Sequence, residues 1–288
     1  MPTLISVVNY FSSSLLDECM QSIVENARPQ DHHFVIYDNS VDDEEWRLIA
    51  NLGVKYAADF SSVRVHRAPA NIGFGAGHNR NYEHSANLDF DSILILNPDV
   101  TVLHGCLTQL SRRATVTSCI VSVPCRQNES LSSGFSRIEK WSGRALRTHS
   151  ESKAATAYPD GHFMIIGRRT WDTVGGFDER FFLYGEESDL TLRARAALSD
   201  FTLVQHPDAL VVHLGAATTS TDGKKSTVAV LHANRSRVLL YRTHASLRKQ
   251  LPILIAVRTV SALLALVRGD RTLGAAAMIG LWQGLRWR

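Results

Sequence analysis

Residues Ile93-Leu94-Ile95-Leu96 are apolar at every position, without the alternation expected of a strand that is wetted on one face. Such a run must be covered on both sides. It reads as a buried strand of a parallel sheet held between helices. Asn97-Pro98-Asp99 closes it. Pro98 has no N–H to donate, so the ladder stops there. Asp99 is thereby delivered to the carboxyl end of a strand, where open α/β sheets bind their ligands. A carboxylate there can hold a hard cation, and the cation can hold a diphosphate. Taken alone, the same Asp serves equally well to cap the next helix or satisfy a turn.

The rest of the chain alternates in the same way. Residues 3–10, 33–37 and 63–67 read as strands. Residues 13–26 form a helical pattern with Leu15, Leu16, Cys19, Met20 and Ile23 on its apolar side, stopping before Pro29. A second helix over 44–52 is closed by Gly53, and a third covers 77–86. A helix over 104–113 and a strand over 119–124 follow residues 92–96. Later strands are expected at 161–167, 201–205 and 209–213, and helices at 169–174, 186–197 and 228–244. This order predicts an α/β fold with a mostly parallel, doubly wound sheet and right-handed crossovers. Residues 126–156, polar and rich in Ser and Arg, read as an edge hairpin, a mobile loop or a flap beside the site.

At 288 residues and 44% hydrophobic, the chain can bury one large domain with an appendage. The expected division is a catalytic body over 1–226 and a helical tail over 227–288. Cys19, Cys106, Cys119 and Cys125 show no CxxC spacing, which favours buried thiols in a reducing compartment over disulfides or a zinc site. No basic stretch precedes the first strand, so no secretory leader is expected. The net charge of +3 is unevenly spread: from Arg235 onward ten Lys/Arg face one acid, Asp270. A basic, apolar tail points to an anionic partner. Nucleic acid is not expected, because the tail lacks a helix-turn-helix or zinc pattern. Leu251–Val267 is interrupted by Arg258 and falls short of the roughly 20 apolar residues that span a bilayer. The last helix, over 273–285, leads into Trp282, Arg286, Trp287 and Arg288, an aromatic and basic mixture suited to a membrane interface. Peripheral membrane contact is the preferred reading. Packing on the body or pairing in a homodimer would produce the same amphipathic pattern.

Four segments carry candidate chemistry. Asp38-Asn39-Ser40 ends a strand and offers a carboxylate to the imide N–H of a pyrimidine base, or else makes a turn. Residues 71–79 (NIGFGAGHN) place glycines where backbone can approach a ligand at a helix start. They match neither a dinucleotide fingerprint nor a P-loop. Residues 175–190 combine a double glycine, an aromatic run and the acids Glu186, Glu187 and Asp189 at a helix start. Crowded carboxylates raise one another's pKa, which suits a base that takes a proton from a hydroxyl. His213 ends an apolar strand as a structural residue or an imidazole ligand for an Mn²⁺-like ion.

In this order, VVNY (7–10), DNS (38–40), NIGFGAGHN (71–79), ILNPDV (95–100), GGFDERFFLYGEESDLTLR (175–193) and VVHLG (211–215) resemble the inverting family 2 glycosyltransferases of GT-A fold, in their bacterial rhamnosyltransferase-like branch. The resemblance implies that Asp38 binds the base and that Asn9, Asn71, Gly73, Phe74, Asn79 and Asn97 serve the nucleotide-sugar pocket. It implies that Asp99 is the last acid of the metal-binding Asp-x-Asp, with Asn97 replacing the first, and that His213 adds a ligand to Mg²⁺ or Mn²⁺. Glu187 falls where many members carry a catalytic Asp, with Glu186 beside it as the alternative base. Arg193 supports the acids or faces phosphate. The implied reaction moves a sugar, L-rhamnose from dTDP-rhamnose in this branch, onto a glycan or polyprenyl-diphosphate-linked acceptor for bacterial surface polysaccharide. Galactofuranose or an N-acetylhexosamine from a UDP-sugar is the alternative within the class, and a catalytically inactive nucleotide- or glycan-binding domain is the alternative outside it. The expected location is cytoplasmic, on the inner face of the membrane.

Overall fold

A computed structural model describes residues 1–104, 107–116, 118–127, 130–148, 154–207, 209–215, 220–221 and 224–286. In chain order its elements are β1 (Thr3–Asn9), α1 (Ser13–Asn26), β2 (His33–Asp38), α2 (Asp43–Lys55), β3 (Ser62–Arg67), α3 (Phe74–Glu83), β4 (Ser92–Leu96), β5 (Val100–His104), α4 (Leu107–Val116), β6 (Cys119–Ser122) and β7 (Cys125–Gln127). There follow β8 (Ser130–Ser132), β9 (Phe135–Ile138), β10 (Ala145–Arg147), β11 (Ala157–Pro159), β12 (Phe163–Gly167), α5 (Arg168–Val174), α6 (Glu186–Ala197), β13 (Thr202–Gln205), β14 (Leu210–His213), α7 (Thr227–Thr243), α8 (Ala245–Arg248), α9 (Leu251–Val267) and α10 (Arg271–Arg286).

The main sheet runs β13-β6-β12-β4-β1-β2-β3. β4 lies at its centre. Leu94 and Leu96 enter one core with Ile5, Val7 and Phe34, while Ile93 and Ile95 enter the opposite core with Leu4, Val35 and Leu190. This two-sided burial explains the unbroken apolar run. All pairings are parallel except those of β12, which is antiparallel to both β4 and β6. The first residues of β12 therefore lie at the edge where the parallel strands end.

Asp99 caps no helix. It sits in a turn between β4 and β5, and the helix expected from residue 104 begins at Leu107. β5 joins a second sheet, β5-β14-β7-β8, with His213 opposite Val100. Gly53 does not end α2, which continues to Lys55. A Cβ at Gly53 would lie 2.7 Å from Val65 Cγ2, so that glycine permits close packing on β3. Within 126–156, the antiparallel β7–β8 pair at the edge of the second sheet is the hairpin among the expected forms, and β9 and β10 join β11 in a further antiparallel sheet. Cys19, Cys119 and Cys125 are buried free thiols; Cys106 lies outside the described residues, as do Trp287 and Arg288.

Position 226 marks no break in packing. Leu239, Leu240 and Tyr241 of α7 share a core with Phe181, Leu192 and Ile138. Several tail arginines act inside the protein: Arg237 Nε donates to the Gly143 carbonyl (2.9 Å), Arg242 to those of Gly284 and Leu285, and Arg258 to Asn234 Oδ1. The tail's excess charge is thus partly structural. Among the described residues no helix is long and apolar enough to cross a membrane.

Candidate active site

The carboxyl ends of the parallel strands open into a cavity of about 590 Å³. Asn71, Gly73, Phe74, Asn97, Asp99, Glu186, Glu187 and His213 all line it. Segments separated by more than a hundred residues therefore meet in one place.

On one wall, Asp99 Oδ1 lies 3.1 Å from His213 Nε2. The contact follows from the register of β14 on β5 and from the bond of Leu214 N–H to the Asp99 carbonyl (3.2 Å). His162, which the sequence reading missed, also lines the cavity. Its ring stacks on His213 with centroids 4.7 Å apart and planes 10° apart. Burial pushes His162 down to about 3, so its imidazole is neutral at physiological pH. Cys125 Sγ, His162 and His213 place ligand atoms within 4.8 Å of one another. A carboxylate and two imidazoles form a donor set that fits a divalent cation.

On the other wall, the turn Tyr184 (φ 69°) and Gly185 (φ 94°) launches α6. Glu186 is 1% exposed, and neither carboxyl oxygen has a hydrogen-bond partner. Burial and then the neighbouring Glu187 hold its pKa well above the usual carboxyl range. Burial, with Asp160 nearby, pushes Glu187 up to about 7. Gly161 makes room for it, since a Cβ there would lie 2.0 Å from Glu187 Oε1. Both carboxyls are thus held above the usual range, and Glu187, near neutrality, is placed to exchange a proton.

Asp189 takes no part in the cavity. Its oxygens accept from Arg193 Nε (2.7 Å) and pair with His244 Nε2 (2.8 Å). Arg193 also donates to the carbonyls of Val174 and Gly176. Of its two expected roles, Arg193 therefore has the supporting one. His244, from the end of α7, was not identified from sequence.

The donor-side residues divide. Asn9 is fully buried, and its Nδ2 donates to Asp38 Oδ1 (2.9 Å), Ser40 Oγ and Glu45 Oε1. Asn79 exchanges hydrogen bonds with Phe177 N–H and carbonyl and reaches Glu179. Both amides are committed to the protein and neither lines the cavity, contrary to the expectation for them. They hold the Asp38 turn and the 175–185 loop. Asp38 Oδ2 is buried without a partner, although Asp38 itself is not on the cavity wall. Its neighbour Asn39 is. Asn39 Nδ2 donates to the Gly73 carbonyl (3.0 Å), tying the two donor-side loops together.

Gly73 is the glycine of its loop that faces the cavity. Its φ is +92°, and a Cβ would meet the Phe182 carbonyl at 2.4 Å. Gly75 and Gly77 lie inside α3 and pack on Phe177 and Val8, so they serve close packing rather than a ligand. Ser226, Val228 and Ala229, around the start of α7, close the cavity's far side.

A family profile described as Glycosyltransferase like family 2 matches residues 2–237. The rhamnosyltransferase WbbL of Escherichia coli (strain K12) is 26% identical over 63% of this chain and 74% of its own length. The N-acetylglucosaminyl-diphospho-decaprenol L-rhamnosyltransferase of Mycobacterium tuberculosis (strain CDC 1551 / Oshkosh) is 28% identical over 57% of this chain and 62% of its own. Among solved structures, the mannosyltransferase PcManGT from Pyrobaculum calidifontis, in complex with GDP-Man and Mn²⁺, superposes with a TM-score of 0.60 at 15% identity, covering 99% of this chain and 87% of that one. GalNAc-T7 with UDP, GalNAc and Mn²⁺ also gives 0.60, at 12% identity, over 84% of this chain and 48% of that one. These likenesses establish the GT-A fold expected from the sequence.

Proposed function

This chain belongs to the glycosyltransferase family 2 that its profile match identifies, and from that premise we propose that it transfers L-rhamnose from dTDP-rhamnose to a glycan or polyprenyl-diphosphate-linked acceptor, with inversion and with a divalent metal ion. The carrying observation is that one cavity is lined by the Asp99–His213 pair, by Glu186 and Glu187, and by the Gly73 loop. The rhamnosyl donor is drawn from the relatives, both named as rhamnosyltransferases.

In this reading the nucleotide lies along the Asn39 end of the sheet, with the buried, unpartnered Asp38 Oδ2 behind that wall. Asp99 and His213 would hold the cation. When bound, that ion offsets the charge of the departing diphosphate. Glu187 accepts the proton of the acceptor hydroxyl as its oxygen attacks the anomeric carbon. The bond from that carbon to the diphosphate oxygen breaks on the opposite face, so the configuration inverts. No second acid is needed to protonate the leaving group, unlike in a glycosidase. Glu186, whose carboxyl oxygens are unpartnered, is available to a sugar hydroxyl.

The tail supports membrane contact. Val260, Leu264, Val267, Ile279 and Trp282 are exposed on α9 and α10, and Arg286 lies over the Trp282 ring, 4.3 Å from its centroid. Such a face suits an interface of anionic lipid, which is where a lipid-linked acceptor resides.

The test is a thermal-shift and turnover screen of dTDP-, UDP- and GDP-sugars with Mn²⁺ or Mg²⁺. A bound donor raises the melting temperature. dTDP-rhamnose should give both the largest shift and sugar transfer. Transfer from UDP-galactofuranose or a UDP-N-acetylhexosamine in its place would refute the donor assignment.

A further inference from the structure

We propose that His162 is a third protein ligand, beside Asp99 and His213, to the divalent cation of this site, and that it biases the site toward Mn²⁺, Co²⁺ or Zn²⁺ over Mg²⁺. The proposal rests on the reading of Asp99 and His213 given above. Strand register makes the placement. Phe163 pairs with Leu96, and the Asn97 N–H donates to the His162 carbonyl (3.0 Å). His162 is thus fastened across from the loop that carries Asp99. His213 is fastened to the other side of that loop through Val100. Three donors, from the turn before β12, the β4–β5 turn and the end of β14, therefore come together.

The ordinary role of a buried histidine is to satisfy polar groups in the core. His32 does so, accepting the Thr3 N–H at Nδ1 (2.9 Å). His162 differs: it is 7% exposed, its Nε2 is buried without a partner, and it lines the cavity. Two nitrogens on opposite sides of one ion at roughly 2.1 Å each are ~4.2 Å apart. The Cys125–His162–His213 ligand atoms lie within 4.8 Å of one another, close to that span, and the two stacked rings would turn their nitrogens toward one ion on binding it. Cys125, which pairs with Val211 two residues before His213, adds a soft group at the edge. Mg²⁺ favours near-octahedral oxygen ligands and keeps its water, whereas imidazoles favour first-row transition ions.

Pulsed EPR of Mn²⁺ bound to the full-length protein counts directly bonded imidazoles through their ¹⁴N couplings. Wild type should show two, and His162→Gln and His213→Gln one each. His162→Gln should weaken Mn²⁺ by at least about tenfold while changing Mg²⁺ affinity less. One coupled imidazole in wild type, with a His162→Gln spectrum and Mn²⁺ affinity unchanged, would overturn the His162 assignment and leave Asp99–His213 standing. No coupled imidazole in wild type, with Mn²⁺ binding indifferent to Asp99→Asn, would overturn both. The wild-type count needs no variant to fold, and a His162→Asn variant checks that any loss in His162→Gln is not a folding defect.

Discussion

The ionisation of Glu187 links turnover and stability in opposite directions, and Glu187→Gln separates them. With its carboxyl at about 7, about a tenth of the wild-type enzyme carries the free base near pH 6 and about a hundredth near pH 5. Turnover at saturating donor should therefore fall about tenfold per unit below pH 7 and level off above pH 8. Glu187→Gln should lose transfer by at least about 10²-fold and still bind nucleotide. Stability follows the raised value. The folded state keeps this proton where the unfolded chain, with an ordinary Glu near 4.3, has lost it. Ionisation therefore costs stability progressively as pH rises from about 4.5, and the full cost stands above pH 7. At ~1.4 kcal/mol per unit, discounted for the side open to solvent, the cost is on the order of 1–2 kcal/mol. Gln removes it, so the variant should melt a few degrees above wild type near pH 8 and show no gain near pH 4. Scanning fluorimetry across pH and a diphosphate-release assay measure the two effects. A variant that retains turnover, or one whose melting gain is the same at pH 4 and pH 8, would refute the assignment.

Other substitutions probe the remaining parts. Asp99→Ala should abolish the metal-dependent component of nucleoside-diphosphate binding measured by calorimetry while leaving the melting temperature of the apo protein nearly unchanged. Gly73→Ala, at φ +92° and against the Phe182 carbonyl, should cost about 2 kcal/mol or more, seen as an earlier denaturant midpoint. His244→Ala leaves buried Asp189 with Arg193 alone and should cost about 1–3 kcal/mol, with donor affinity falling as the α6 start loosens. Leu264→Glu with Trp282→Glu should reduce co-sedimentation with anionic vesicles without affecting transfer to a soluble acceptor; unchanged partitioning favours a protein partner for that face.

What was readable in the sequence follows from periodicity. α1, α6 and α9 appear over the residues expected for them, α1 by its apolar stripe, α6 by the acids of its first turn and α9 by its apolar run. Asp99, Glu187 and His213 were legible because each ends or starts an element beside a turn signal. His162 was not. Its position at the ligand edge depends on β12 running antiparallel to its neighbours, and a buried strand reads the same in either direction. Asn9 and Asn79 were assigned to the pocket by their place in motifs. Their amides are instead consumed by Glu45, Asp38, Phe177 and Glu179, partners distant in sequence. The start of α7 escaped notice as a cavity wall because it lies beyond the last recognisable motif. The tail's arginines read as surface charge in the sequence, but Arg237 is partly buried and donates to the Gly143 carbonyl.

α10 lies so close to α7 that side chains are excluded between them. A Cβ at Gly280 would fall 2.2 Å from the Leu231 carbonyl, and one at Gly284 would fall 2.8 Å from that of Arg235. The same helix turns Ile279 and Trp282 outward. The two faces thus carry unequal freedom to diverge. The outward residues can be exchanged for others suited to a different lipid or partner. The inward glycine spacing cannot change without prising α7 from the site that it helps to enclose. Anyone grafting a new anchor onto this enzyme would have to rewrite one side of a helix and copy the other unchanged.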